Sequence, residues 1–269
     1  SMATALYALD IDQGQVRTIL NGQAWAMPMG VTSTIPTSTT VLLRGGEWGA
    51  YVLVNNTGNS QRIALGNNGI HQGGESVLDT NRYFGSASNK ILTLGSLTLD
   101  VQRFLSTGGS AIYPRFEGLT TLTNHARIQT DAPLLLNGGI TDGGMGYTIN
   151  KTGGSELQIS GDNSSSWAGG LVISGGIVYY GTRGTDDLVY PGTTWVPSST
   201  ATAGAGDIVI NQGFTASGAT TAFRINAPTN LVAGQQVLTF GSEKNWNFRI
   251  DIGTDAPLTS YNLRSTTNG

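Results

Sequence analysis

The 269-residue sequence predicts an all-β chain wound as a single-stranded, right-handed parallel β-helix, that is, a β-solenoid. Three observations carry this expectation. Short segments alternate apolar and polar side chains, the period of a strand, so one face of each is an apolar row. Glycine or Ser-Gly closes most of them, supplying the positive φ that sharp corners require. The rows also recur, since Leu134-Leu135-Leu136, Leu157-Gln158-Ile159 and Ile177-Val178-Tyr179 follow one another at about 20 to 23 residues, a solenoid period. None of these segments is long enough to bury its row alone, so stacking on similar turns must do so. A β-sandwich is the alternative, because it uses the same strands with antiparallel neighbours.

The organising stretch is Ile149–Gly181. It contains Lys151-Thr152-Gly153-Gly154-Ser155-Glu156-Leu157-Gln158-Ile159-Ser160-Gly161-Asp162-Asn163, then Trp167-Ala168-Gly169-Gly170-Leu171-Val172-Ile173, then Gly175-Gly176-Ile177. This run resembles one copy of the autotransporter-associated β-strand repeat, also called the passenger-associated transport repeat. That repeat reads Lys-x-Gly-x-Gly-x-Leu-x-Leu-Ser-Gly-x-Asn, an aromatic-x-Gly-Gly step, and a second Gly-x-Leu strand. Gly154-Ser155-Glu156 departs from the usual Gly-Thr approach, and Trp167 stands where tyrosine is commoner. The upstream run Leu134–Gly144 resembles the lead-in to such repeats. The match covers about one eighth of the chain.

The resemblance implies a passenger segment of a large exported bacterial surface protein, extracellular on the cell surface or secreted. Its role would be structural, a stiff spacer supporting adhesion. Its partners would be neighbouring repeats of the parent chain and a host-cell or glycan surface. It implies no enzymatic activity and no cofactor.

Composition fits a packed β chain. Glycine, with 39 residues, is about twice its usual share, and charged residues, at 12%, are about half theirs. Low charge with abundant Thr, Ser and Asn suits disorder, but 38% hydrophobic residues in alternating rows is too much for a solvated linker. A net charge of −3 argues against a nucleic-acid partner, and the 14 Lys and Arg form no cluster suited to anionic lipid. No apolar run approaches the ~18 residues of a membrane helix, so direct membrane insertion is not expected. The absence of cysteine is compatible with export, because a continuous core needs no staples. Ser1-Met2 and the end at Asn268-Gly269 read as the limits of a piece cut from a longer chain.

Residues 1–60 read as an N-terminal cap or as irregular coils, and 61–269 as the β-helix. Ala5–Ile11 and Gln15–Leu20 flank the turn Asp12-Gln13-Gly14, and Ala24–Val31 is broken by Pro28. Thr32–Thr40 reads as a loop, and Val41–Leu43 and Tyr51–Val54 as strands. Ile63–Leu65, Ser76–Leu78, Arg82–Phe84, Ile91–Leu94 and Leu97–Val101 continue the rhythm. Gly108–Gly118 reads as a protrusion because Pro114 and two flanking aromatics interrupt the alternation. Leu119–Leu122, Ala126–Gln129 and Pro133–Leu136 restore it. Thr182–Gly206 is expected to leave the solenoid as a loop, before strands resume at Ile208–Asn211, Thr221–Asn226, Val237–Phe240 and Trp246–Ile252. About a dozen coils would make a rod near ~55 Å long.

No catalytic, cofactor-binding or metal-binding residue is assigned. Asp10-Ile11-Asp12-Gln13-Gly14 hints at a calcium loop, but Asn21 occupies the glutamate position. Gly143-Gly144-Met145-Gly146 leads to Tyr147 and lacks the aspartate of the nonapeptide calcium repeat. His71 and His125 have no spaced partner for zinc. Parallel β-helices also host polysaccharide-cleaving enzymes, which need converging acids. The densest group is Arg183, Asp186 and Asp187, near Tyr179, Tyr180, Tyr190 and Trp195, which could stack on sugars. The simpler reading is a solvated loop. Asp142, Asp162 and Asp251 sit at strand ends or turns, where Asp bonds local backbone. Trp167 is expected to pack at a corner, and Trp25, Trp48 and Trp246 to plug caps and corners.

Overall fold

The computed structural model describes residues 8–11, 15–20, 40–43, 46–52, 62–65, 76–82, 90–101, 103–108, 112–183, 195–197, 202–211, 221–225, 235, 237–240, 248–252 and 263–266. Every described regular element is a strand, and the strands form three sheets. Sheet A has six strands, from Ala8–Ile11 to Ile140–Thr141. Sheet B has ten, from Gln15–Leu20 to Leu263–Thr266. Sheet C has eight, seven of them running from Lys90–Leu94 to Phe248–Ile252. From Arg62 to Ile159 the described strands visit the three sheets in turn; before that they alternate between sheets A and B, and after it between B and C. Within each ladder a strand pairs in parallel with the strands one coil away. This is a right-handed parallel β-helix. A sandwich would require antiparallel neighbours, and the one antiparallel pair among the described strands is Gly181–Arg183 against Trp195–Pro197. That pair leaves the far end of the strand Ile177–Arg183 and comes back as the eighth member of sheet C.

Register explains the core. In sheet C, Leu94, Phe116, Leu136, Ile159 and Tyr180 are successive Cα partners and are all essentially inaccessible. In sheet B the inward columns are Ala126, Ile149, Leu171, Ile208 and Phe104, Ile128, Lys151, Ile173, Ile210. Sheet A contributes Leu97, Thr120, Ile140 and Leu99, Leu122. Apolar residues lie over apolar ones at most positions of these columns, with Lys151 and Thr120 as exceptions, so each coil buries its row on its neighbours, as a solenoid must.

Three expectations need correction. Val178 and Tyr180, not Ile177 and Tyr179, face inward: Leu157 pairs with Val178, and Ile177 is half-buried. The Gly175-Gly176 corner, with Gly176 at φ +67°, delivers the chain one residue later than the alternation alone suggested. Next, Ile112–Phe116 is no protrusion but a ladder strand paired with Lys90–Leu94. Pro114 is tolerated there because the ladder to the following coil begins only at Arg115, so its missing N–H removes no bond on that side. Finally, the coil count is ten among the described residues, not a dozen, which makes a stack of about 43 Å at ~4.8 Å per coil. The short period holds only in the middle. Ala126 and Ile149 are 23 residues apart and Ile149 and Leu171 are 22, whereas Leu171 and Ile208 are 37 apart and Gln15 and Glu47 are 32.

Candidate functional site

The described residues with the densest polar chemistry lie at the corners of the coils between Ile140 and Ile177, on the stretch that carries the repeat-like motif. Each corner turns the strand ladder and so strands backbone N–H and C=O groups away from water, where they must find partners.

Asp142 follows the last strand of sheet A, at the start of a connection that runs to Ile149. Its Oδ1 accepts from the N–H groups of Gly144 at 2.9 Å and Ala168 at 3.0 Å. Its Oδ2 accepts from Tyr147 at 2.9 Å and Gly169 at 3.1 Å. Burial pushes this carboxyl pKa up, but the four backbone donors outweigh it and hold the group below the usual carboxylate range. Two of those donors belong to its own corner and two to the corner one coil on, so one carboxylate fastens two coils. Gly169 is required here because a Cβ would overlap the backbone carbonyl of Tyr147.

Asn163 reaches in three directions and is fully buried. Its Oδ1 accepts from the Ile140 N–H at 2.6 Å, one coil earlier. Its Nδ2 donates to Gly161 O at 3.1 Å and to Thr202 O at 2.6 Å. The Asn163 N–H donates to Thr202 Oγ1. Beside it, Asp162 accepts from the hydroxyl and the N–H of Ser164 and from the hydroxyl of Thr202, all of which keep its pKa low. Ser160 Oγ donates to Asn137 Oδ1 at 2.6 Å on the previous coil. Trp167 is inaccessible, and its Nε1–H donates to Tyr147 O at 2.6 Å, which places it at the corner as expected.

Lys151 occupies an inward position, between Ile128 and Ile173 in its column, and is fully buried. Its Nζ donates to Thr152 O at 2.8 Å, Gly153 O at 3.2 Å and, across to the next coil, Gly175 O at 2.9 Å. Burial draws its pKa down to about 7, against the pull of the Asp131 and Glu156 carboxylates.

The other candidates are dispersed. Tyr179 and Tyr180 are buried and offer no ring face to a sugar, which corrects the stacking expectation for them. Tyr179 donates its hydroxyl to Glu156 at 3.2 Å, and burial raises the Tyr180 phenol pKa, partly offset by a backbone bond at Ala203. Arg183 and Trp195 are Cα partners across the antiparallel pair. His125 is exposed, with Nδ1 at the Thr148 N–H and hydroxyl. Asp12, Asp186, Asp187, Tyr190, His71, Trp25 and Trp246 lie outside the described residues. No group of three or more His, Cys, Asp or Glu that could hold a metal gathers among the described residues, and no described helix is long and apolar enough to cross a membrane.

Sequence reasoning took Asp142 for a local turn acid and did not see that Lys151 turns inward. The signal for Lys151 was present, since it falls two residues after Ile149 on the same face of the strand. No protein-family model, curated protein or solved structure matches the chain.

Proposed function

We propose that the chain is a stiff β-helical spacer, a structural segment of the exported passenger of a large bacterial surface protein, whose role is to hold a neighbouring region away from its anchor and to support adhesion. What supports this reading is where the repeat-like motif spends its polar groups. Lys151, Ser160, Asn163 and Trp167 all bond to backbone or side-chain groups of adjacent coils. Residues committed to buried coil-to-coil bonds serve stiffness, and a motif built of them repeats a mechanical unit.

The test is location and reach. In the organism that makes the parent protein, intact cells treated with an impermeant protease should lose this segment, detected by an antibody raised to it. Signal that survives on whole cells and disappears only after lysis would end the exported reading. A purified chain that degrades polysaccharide, with turnover lost in Asp186→Ala and Asp187→Ala, would replace the spacer with an enzyme.

A further inference from the structure

The outer face of sheet B sets two exposed arginines one above the other on adjacent coils. Arg103 and Arg127 are Cα partners on adjacent parallel strands, and both are exposed. Coils stack about 4.8 Å apart, and like charges placed directly opposite oppose sheet formation. Arg103 is held in place, because its Nη1 donates to Gln129 Oε1 at 2.9 Å and Gln129 donates in turn to Asp131. Arg127 makes no hydrogen bond or ion pair among the described residues.

Polar side chains flank the pair. His125 lies two residues before Arg127, just ahead of the strand Ala126–Thr130, and is exposed as Arg127 is. Its Nδ1 accepts from the Thr148 N–H at 3.1 Å, which leaves Nε2–H as the ring's outward donor. The ring is set edge-on against Tyr147, with centroids 5.5 Å apart. On the next coil Asn150 is the Cα partner of Arg127, and its Oδ1 accepts from Ser174 Oγ at 3.0 Å, which leaves its amide nitrogen as a donor. In a chain of net charge −3, Arg103 and Arg127 thus place two charges of the same sign on neighbouring coils of one face.

We propose that this strip binds an acidic polysaccharide lying along the rod axis, with Arg103 and Arg127 each gripping a carboxylate or sulfate and the His125 and Asn150 N–H groups taking sugar hydroxyls. The proposal deepens the spacer reading and rests on the rod being exposed. Guanidinium forks match planar oxyanions, and the donors repeat coil by coil, which suits a linear polymer better than a lone ion. A nucleic acid or a lipid surface would need a broad basic face, whereas this strip is one column wide with Asp131 beside it.

The experiment titrates the purified chain at low salt with dextran sulfate, polygalacturonate, neutral dextran and a DNA duplex. Binding to dextran sulfate, polygalacturonate or both is expected, weakening with salt, and the tighter of the two tells sulfate from carboxylate. Arg127→Ala and Arg103→Ala should each weaken binding about tenfold. Arg115→Ala on sheet C should leave it unchanged, and matching circular dichroism should show all three variants folded. Failure of both anionic polymers to bind, equal binding by Arg127→Ala, or equally tight binding of the duplex overturns the proposal. A protease-accessible chain that binds neither polymer sinks this inference alone. A chain that binds but stays inside the cell sinks the spacer reading instead.

Discussion

Replacing Asn163 gives the sharpest test of corner capping. Asn163→Ala removes the acceptor of the buried Ile140 N–H and the donor to the buried Thr202 carbonyl, both at 2.6 Å. Each buried polar group left unpaired costs about 1–3 kcal/mol, so the expected loss is about 2–6 kcal/mol, a large part of the stability of an ordinary domain. Asn163→Asp keeps the shape but turns the donor into an oxygen facing the carbonyls of Gly161 and Thr202. At neutral pH it should destabilise more than alanine does, because it also buries a charge. Lowering the pH should return part of that loss, since the protonated carboxyl can again donate to Thr202. Urea melts followed by far-UV circular dichroism report all three proteins. An alanine variant within about 0.5 kcal/mol of wild type, in the range of an inert surface change, would refute the capping argument. So would an aspartate variant as stable as wild type at neutral pH.

Other outcomes follow from the same corners. The native Lys151 pKa of about 7 lies below its unfolded value of 10.5, so in that window unfolding takes up a proton and stability rises with pH. Relative to Lys151→Met, wild type should gain on the order of a few kcal/mol between pH 7 and pH 9.5, read from denaturant midpoints. The Tyr180 phenol acts in the opposite direction only above its unfolded value of 10.0, outside that range. Asp142 is shifted the other way: its contribution should be complete above pH 3.8 and lost as pH falls through its lower native value, a loss absent from Asp142→Asn. That variant should be less stable at pH 7 by about 2–4 kcal/mol, because its amide sets N–H against N–H. Gly169→Ala should lower the melting temperature by several degrees, an effect of ~1–3 kcal/mol, because the added methyl meets the Tyr147 backbone rather than a movable side chain.

The solenoid was legible because its signal is local. Short apolar rows at Leu97–Leu99, Leu134–Leu136 and Leu171–Ile173, set off by nearby glycines, require only neighbours in sequence, and the structure sets these segments in its ladders. What the sequence hid depends on register between coils. Nothing local separates Ile177 from Val178 as the inward residue, because both are β-branched and the choice is made by pairing with Leu157. Pro114 misled for a similar reason, since its cost depends on where the next strand starts. Lys151 was obscured by its charge, because the carbonyls that make its burial tolerable include Gly175, one coil away. The arginine strip was invisible in the linear text, where 24 residues separate Arg103 from Arg127.

The unequal coil lengths carry a mechanical consequence. Stretched by its two ends, a stack held by ladders and corner clamps would shed whole turns one after another, each release lengthening the tether by the residues it frees. At about 3.4 Å per extended residue, the turn from Ile149 to Leu171 would yield about 75 Å and the one from Leu171 to Ile208 about 125 Å. The extension trace of a single molecule would therefore be a signature of unequal steps, from which the order of rupture could be read turn by turn.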